Sequence, residues 1–259
     1  MRPIRIAGLT LVLAAAVVPA ITGTASAALP EFGKCVAAEG KTGQYKGSQC
    51  TQTSAAGGFN WAPEPTGAAK FSGAGEGIAL QTVAGHKVAC AGANLEGAYT
   101  GPKTETVTLT MIGCEVGGLG QACESNPLKP GEIESQLEGE IGYIKNVEKQ
   151  IVGLDLKPKS PSTTFAAFQC GKPPEVGPSA VIEGSAIAPI RPINRMSEEF
   201  KIAYKESAGK QAVQRFEGGA TDTLTAKWVS GVEVTTEEAA LKMLATDTNE
   251  ELTELRTRP

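Results

Sequence analysis

Residues 132–143 read E-I-E-S-Q-L-E-G-E-I-G-Y, the cleanest periodicity in the chain. Ile133, Leu137, Ile141 and Tyr143 share one face, with Ser135 and Gly139 between them. Glu132, Glu134, Gln136, Glu138 and Glu140 share the other. Side chains reverse direction at each step of an extended backbone, so this pattern builds a strand with one face in the core and one in water. Such half-solvated strands belong to antiparallel sheets. Gly139 and Gly142 mark a bulge or bend.

Working outward, the same ingredients recur. Val107 to Cys114 carries Val107, Leu109 and Met111 on one face and Thr108, Thr110, Ile112 and Cys114 on the other, so it is covered on both sides near its end. Phe71–Leu80, His86–Cys90, Ile151–Leu156, Phe165–Cys170, Ala180–Ile190, Glu199–Tyr204, Gln211–Phe216 and Thr223–Val234 are further short runs with Gly or Pro between them. Residues 29–65 read as a disulfide-closed hairpin ending at Phe59 and Trp61. Aromatics are 5% of the chain against 31 Gly, which suits an aliphatic core and many tight turns. The expected fold is all-β, a disulfide-stapled antiparallel sandwich or distorted barrel over residues 28–234, as one large or two small β domains. Residues 235–259 are expected as a short, loosely attached C-terminal extension. Thr235 and Glu238 have capping-box spacing for a helix, whereas Leu241, Met243 and Ala245 alternate as in a strand, and both readings stand.

The chain opens with Arg2 and Arg5, an apolar run from Ile6 to Ile21, and Ala25-Ser26-Ala27. This is the form of a secretory signal peptide, residues 1–27, cleaved after about Ala27. The run is short for a membrane anchor, and no later apolar stretch could span a bilayer. The net charge of −4 becomes more negative once the two arginines leave with that segment. An acidic surface of this kind attracts neither nucleic acid nor anionic membrane.

Six cysteines, Cys35, Cys50, Cys90, Cys114, Cys123 and Cys170, follow the leader. An even number in an oxidising compartment predicts three disulfides. No C-x-x-C occurs and His86 is the only histidine, so zinc and haem lack their usual ligands and no cofactor is expected. Sequence alone leaves several connectivities open. Loop spacing favours Cys35 with Cys50, Cys114 with Cys123, and Cys90 with Cys170.

Catalytic motifs are sparse. Ser207-Ala208-Gly209-Lys210 has the S-x-x-K form of penicillin-interacting enzymes and Lys41-Thr42-Gly43 their K-T-G, but the order is reversed and Gly209 breaks the required helix. The glutamate row from Glu132 to Glu140, with Asp155, has the spacing of a glycosidase pair, and a carboxylate row can also hold calcium. A solvated sheet face explains that row more simply, and the calcium-loop motif is absent. His86, after Gly85, reads as a surface residue. Trp61, beside Pro63 and Pro65, reads as a cap on the core rather than an open ligand platform. Gly117, Gly118 and Gly120 lack the helix or Lys of a phosphate loop, so Val107–Cys123 reads as a scaffold strand with a pinned loop.

Glu31-Phe32-Gly33-Lys34-Cys35, Gly58-Phe59-Asn60-Trp61, Val152-Gly153-Leu154-Asp155-Leu156, Phe165 to Cys170 and Phe216-Glu217-Gly218-Gly219 carry a resemblance. The chain resembles an uncharacterised paralogous family of secreted β-rich proteins from soil actinobacteria, over nearly all of the part after residue 27. That resemblance implies an extracellular β-rich protein and tilts the C-terminal piece toward extended structure. It implies no catalytic residue. The function expected is a non-enzymatic extracellular or cell-envelope binding module whose partner is a cell-surface polysaccharide or protein. The alternatives are a glycoside-active enzyme using two carboxylates and a purely structural envelope protein.

Overall fold

The computed structural model describes residues 29–63, 69–117, 120–172 and 174–258; residues 1–27, expected from sequence to be a signal peptide, lie outside them. The chain is built of strands, with no α-helix among the described residues. In order they are β1 (Glu31–Ala37), β2 (Gly43–Tyr45), β3 (Thr53–Gly57), β4 (Phe59–Pro63) and β5 (Lys70–Thr82). Next come β6 (Lys87–Cys90), β7 (Gly92–Tyr99), β8 (Thr104–Ile112), β9 (Glu115–Val116) and β10 (Gln121–Glu124). Then follow β11 (Ile133–Lys145), β12 (Ile151–Pro158), β13 (Thr164–Lys172), β14 (Glu175–Glu183) and β15 (Ala186–Arg191). The last are β16 (Met196–Tyr204), β17 (Glu206–Ser207), β18 (Lys210–Gln211), β19 (Leu224–Ser230) and β20 (Glu233–Arg256).

The antiparallel pairings close into two rings that share β5 and β20. The first runs β5, β7, β8, β11, β12, β15, β16, β20 and back to β5. The second runs β5, β6, β9, β10, β13, β14, β19, β20 and back to β5. Each ring is a barrel, which leaves no long hydrogen-bonding edge exposed.

Register shows the closure of the first barrel directly. Asp247 lies opposite Gly73, Gly73 opposite Leu95, Leu95 opposite Leu109 and Leu109 opposite Ser135. Farther round, Ile141 meets Leu154, Leu154 meets Ala188, Ile190 meets Ile202, and Phe200 meets Asp247 again. One face of all eight strands therefore points inward, and its aliphatic members are buried. The expected alternation of residues 132–143 is the β11 portion of this lining: Ile133, Ser135, Leu137, Gly139 and Ile141 point in, and the glutamates point out.

The chain steps between the barrels hairpin by hairpin. It goes from β6 to β7, β8 to β9, β10 to β11, β12 to β13, β14 to β15 and β16 to β19, each time changing ring. Only β5 and β20 run through both. Gly77 holds φ +63 where β5 bends from one barrel into the other, a left-handed conformation glycine adopts without steric cost. The register of β20 shifts at the same level, between Lys242 and Leu244.

Two expectations are corrected here. The C-terminal piece is not loosely attached: residues 233–256 form β20, which pairs with β19, β5, β16 and β1. Its Ala239, Leu241, Met243 and Ala245 are buried, so alternation, not the capping-box spacing, describes it. The second correction concerns the cysteines. All six are bonded, Cys35 with Cys50 as expected, but Cys90 joins Cys114 and Cys123 joins Cys170. Cys114 and Cys123 are indeed neighbours, since Cys123 N–H donates to the Cys114 carbonyl at 2.8 Å. Their sulfurs turn elsewhere because each cysteine faces a cysteine on the next strand. Cys123 is the register partner of Cys170, and Cys90 and Cys114 extend the Val88↔Val116 ladder by one pair. Three disulfides are the mark of a protein that matures in an oxidising compartment.

β1 to β4 form a small sheet laid across the end of the first barrel, attached through β1 and β20. Phe32 plugs that end, fully buried, with its ring 4.6 Å from Tyr99 and 6.0 Å from Phe200. Arg256 lies 4.4 Å over the Trp61 ring and bonds Glu254 at 2.9 Å. Trp61 is thus spent on a buried cation and is not an open platform.

Candidate functional site

The barrel interiors are filled by side chains, so open space lies on the outer faces. A polar surface follows β11. Its ladder to β12 begins only at Leu137, and its first four residues instead face β13 across a cleft of about 460 Å³. Ser125 bridges that cleft: its hydroxyl donates to the Ala167 carbonyl at 2.6 Å and accepts from Glu134 N–H at 3.3 Å. Glu124, Glu134, Gln136, Thr164 and Gln169 present polar groups to it. One Glu124 carboxyl oxygen is buried there with no hydrogen-bond partner.

The outward row of β11 continues from this cleft. Thr108 donates to Gln136 at 3.0 Å, and Gln136 donates to Glu134 at 2.9 Å. Glu138 lies opposite Thr106 and Lys157, and Glu140 opposite Thr104 and Asp155. A second depression of about 280 Å³ opens among Thr104, Thr106, Glu138 and Lys157. Lys157 is held by Glu140 at 2.8 Å. The glutamate row is therefore a continuous acidic and hydroxyl-rich track joining two hollows. From Glu134 to Glu140 it extends about 20 Å at the usual strand rise.

Asp155, paired in sequence reasoning with the glutamate row, does meet it: Asp155 and Glu140 are direct cross-strand partners. Burial raises the Asp155 carboxyl to about 6, and the nearby charge of Asp222 adds to the shift. Asp222 belongs to residues 212–223, a strap laid over the outside of β11 and β12. Phe216 anchors the strap above Gly142 and Gly153, where a Cβ would stand 2.8 Å and 3.1 Å from its ring. Only glycine pairs leave such a slot on a sheet surface. Glu217 N–H donates to the Tyr143 carbonyl at 2.7 Å, and its carboxylate takes the Asn146 N–H. Gln211, buried at the root of the strap, bonds the Leu241 N–H and carbonyl, each at 3.0 Å.

His86 is partly exposed at the surface, as its turn position implied, but it is not isolated there. It stacks on Trp228 with centroids 4.8 Å apart, and its Nε2 is 3.6 Å from Glu237 at the mouth of the second barrel. Sequence reasoning missed this group because Glu237 and Trp228 lie far along the chain. Glu237 also accepts from Ala84 N–H at 2.7 Å, and Trp228 is 5% exposed. The cluster sits at the barrel mouth, with Trp228 and Glu237 largely covered and the His86 side chain 37% exposed.

A third titratable group is interior. Glu105, Asp247 and Tyr204 converge inside the first barrel, each with an oxygen lacking a hydrogen-bond partner. Burial lifts Glu105 well above the ordinary carboxyl range, with Asp247 adding to it, and burial raises Asp247 to about 7. Tyr204 is likewise pushed up, by burial first and the two acids second.

Ser207 and Lys210 face each other across a two-residue turn, Ala208 and Gly209 both at positive φ, so S-x-x-K is a hairpin here and not a helical dyad. Among the described residues no group of three or more His, Cys, Asp or Glu side chains is arranged to hold a metal ion. No described helix is long and apolar enough to cross a membrane. No family model, curated protein or solved structure matches the chain.

Proposed function

We propose that the protein is a non-enzymatic secreted or cell-envelope binding module that holds a neutral cell-surface polysaccharide along the outer face of β11. The observation that carries this is the unbroken track from the Ser125 cleft to Lys157, about 20 Å of hydroxyl, amide and carboxylate groups. Lys157 at one end is paired with Glu140 and Lys172 at the other with Glu124, so the carboxylates dominate the track, which repels polyanions and favours a neutral polymer rich in hydroxyls. The leader of residues 1–27 and the three disulfides support delivery outside the cell.

Calorimetry of the mature protein against neutral and anionic cell-wall polysaccharides tests this. Saturable binding to a neutral polymer, weakened at least about tenfold by Glu134→Lys with Glu138→Lys, is the expected result. Binding unaffected by those changes overturns the site, and no binding at all leaves a purely structural envelope protein.

One observation favours a second reading, glycoside cleavage by two carboxylates: Asp155, raised to about 6, stands opposite Glu140. A protonated acid beside a carboxylate is what such chemistry uses. The strap covers Asp155, which is why binding is preferred. Polysaccharide turnover abolished by Asp155→Asn would reverse that preference.

A further inference from the structure

A separate cleft lies where two strands of the first barrel part. β12 and β15 pair from Leu156↔Ala186 to Gly153↔Pro189 and no farther. Pro189 has no N–H to extend the ladder and neither does Pro192. Ile151 and Val152 therefore splay from Ile190 and Arg191, leaving an opening of about 400 Å³. Val152 and Ile190 belong to the inward face of the barrel and are 1% and 2% exposed, so the floor is the closed aliphatic core and the accessible apolar surface is that of Ile151, Pro192 and Ile193. Ile151 and Ile193 form its walls, and Lys149 and Arg191 stand at its rim.

The rim runs against the charge of the molecule. The whole chain carries −4, yet the charged side chains lining this opening are both cations. Glu148, next to Lys149 in the chain, is taken by Lys145 at 3.0 Å. Among the described residues no acid pairs with Lys149 or Arg191. An apolar floor beneath two uncommitted cations matches a molecule with an alkyl body and an anionic head.

We propose that this cleft binds a free medium-chain fatty-acid anion, its alkyl chain against Ile151, Pro192 and Ile193 and its carboxylate between Lys149 and Arg191. A free acid is favoured over a bilayer because the opening, about 400 Å³, is on the scale of a single small ligand. Bilayer binding needs a broader basic surface than two residues on an acidic protein supply.

The test is calorimetric titration of the disulfide-bonded protein with decanoate, with decanol, and with phosphatidylglycerol vesicles. Saturable decanoate binding at one site is expected, with decanol at least about tenfold weaker. Lys149→Glu combined with Arg191→Glu lowers decanoate affinity at least about tenfold while the circular dichroism spectrum is unchanged. Lys227→Glu, on the second barrel, leaves the affinity as it was. Absence of decanoate binding, or equal binding by the charge-reversed variant, overturns the proposal. Vesicle binding that decanoate does not displace also overturns it and assigns the rim to a membrane surface.

Discussion

Cys123 stands directly opposite Cys170 across the β10–β13 ladder, and their disulfide closes the second barrel where that ladder is only two residue pairs long. The neighbouring link through β9 is also two residues, and Cys90–Cys114 staples it. Covalent bonds thus sit at the thinnest part of the ring. Cys123–Cys170 closes a 47-residue separation and Cys35–Cys50 a 15-residue one. Loop entropy makes the first worth about 4 kcal/mol and the second about 3. Denaturant midpoints of the paired Cys→Ser variants should fall in that order. A larger loss from the Cys35/Cys50 pair would contradict the view that the barrel seam is the weak point.

Asp247 and Glu105, buried together, shape the response to pH. Burial raises the Asp247 carboxyl from the ordinary 3.8 to about 7. The folded state keeps a proton that the unfolded chain releases, so this contribution to stability is intact below pH 3.8 and is lost as pH rises toward 7. The window is worth on the order of 4 kcal/mol. Asp247→Asn should therefore be more stable than the parent protein above neutral pH, with the difference closing in acid. Glu105→Gln should act in the same direction. Thermal melts across pH that ran parallel for parent and variants would refute this.

Phe216 keeps the strap seated, and through it keeps Asp155 dry. Phe216→Ala should lift residues 212–223 from β11 and β12, and the Asp155 carboxyl should fall from about 6 toward 3.8 as water reaches it. Carbon-detected NMR titration of the side-chain carboxyls reads this directly. An unshifted Asp155 would mean that the sheet, not the strap, excludes water.

The two barrels should unfold together. Each needs β5 and β20, so opening one removes two strands from the other. Trp228 fluorescence, read in a Trp61→Phe background so that it reports on the second barrel, and far-ultraviolet circular dichroism should give coincident denaturation curves. Two separated transitions would show that the barrels are energetically independent.

Much of the fold could be read in the sequence, for a physical reason. Where one face is buried, side-chain parity is visible in any strand long enough to repeat, as in residues 132–143. Parity says inward or outward but not into which barrel, so the stepping of hairpins between rings left no trace. The cysteine partners were hidden for the same reason: loop spacing measures distance along the chain, whereas Cys90–Cys114 and Cys123–Cys170 follow strand register. Thr235 and Glu238 mimic a helix start, but neighbouring strands on both sides decide that segment. The Glu140–Asp155 relation was legible as two acids of suitable spacing, while the covering Phe216 was not, since nothing local couples it to Gly142 and Gly153.

The position of β20 also sets a timetable. It follows every other strand, and neither ring can close without it. During synthesis the preceding strands can form hairpins but no finished barrel, since stable tertiary structure waits for the final long-range pairing. The nascent chain therefore stays threadable until β20 has been made. Both rings then lock in one late event, when β20 takes its place against β5, β16 and β19.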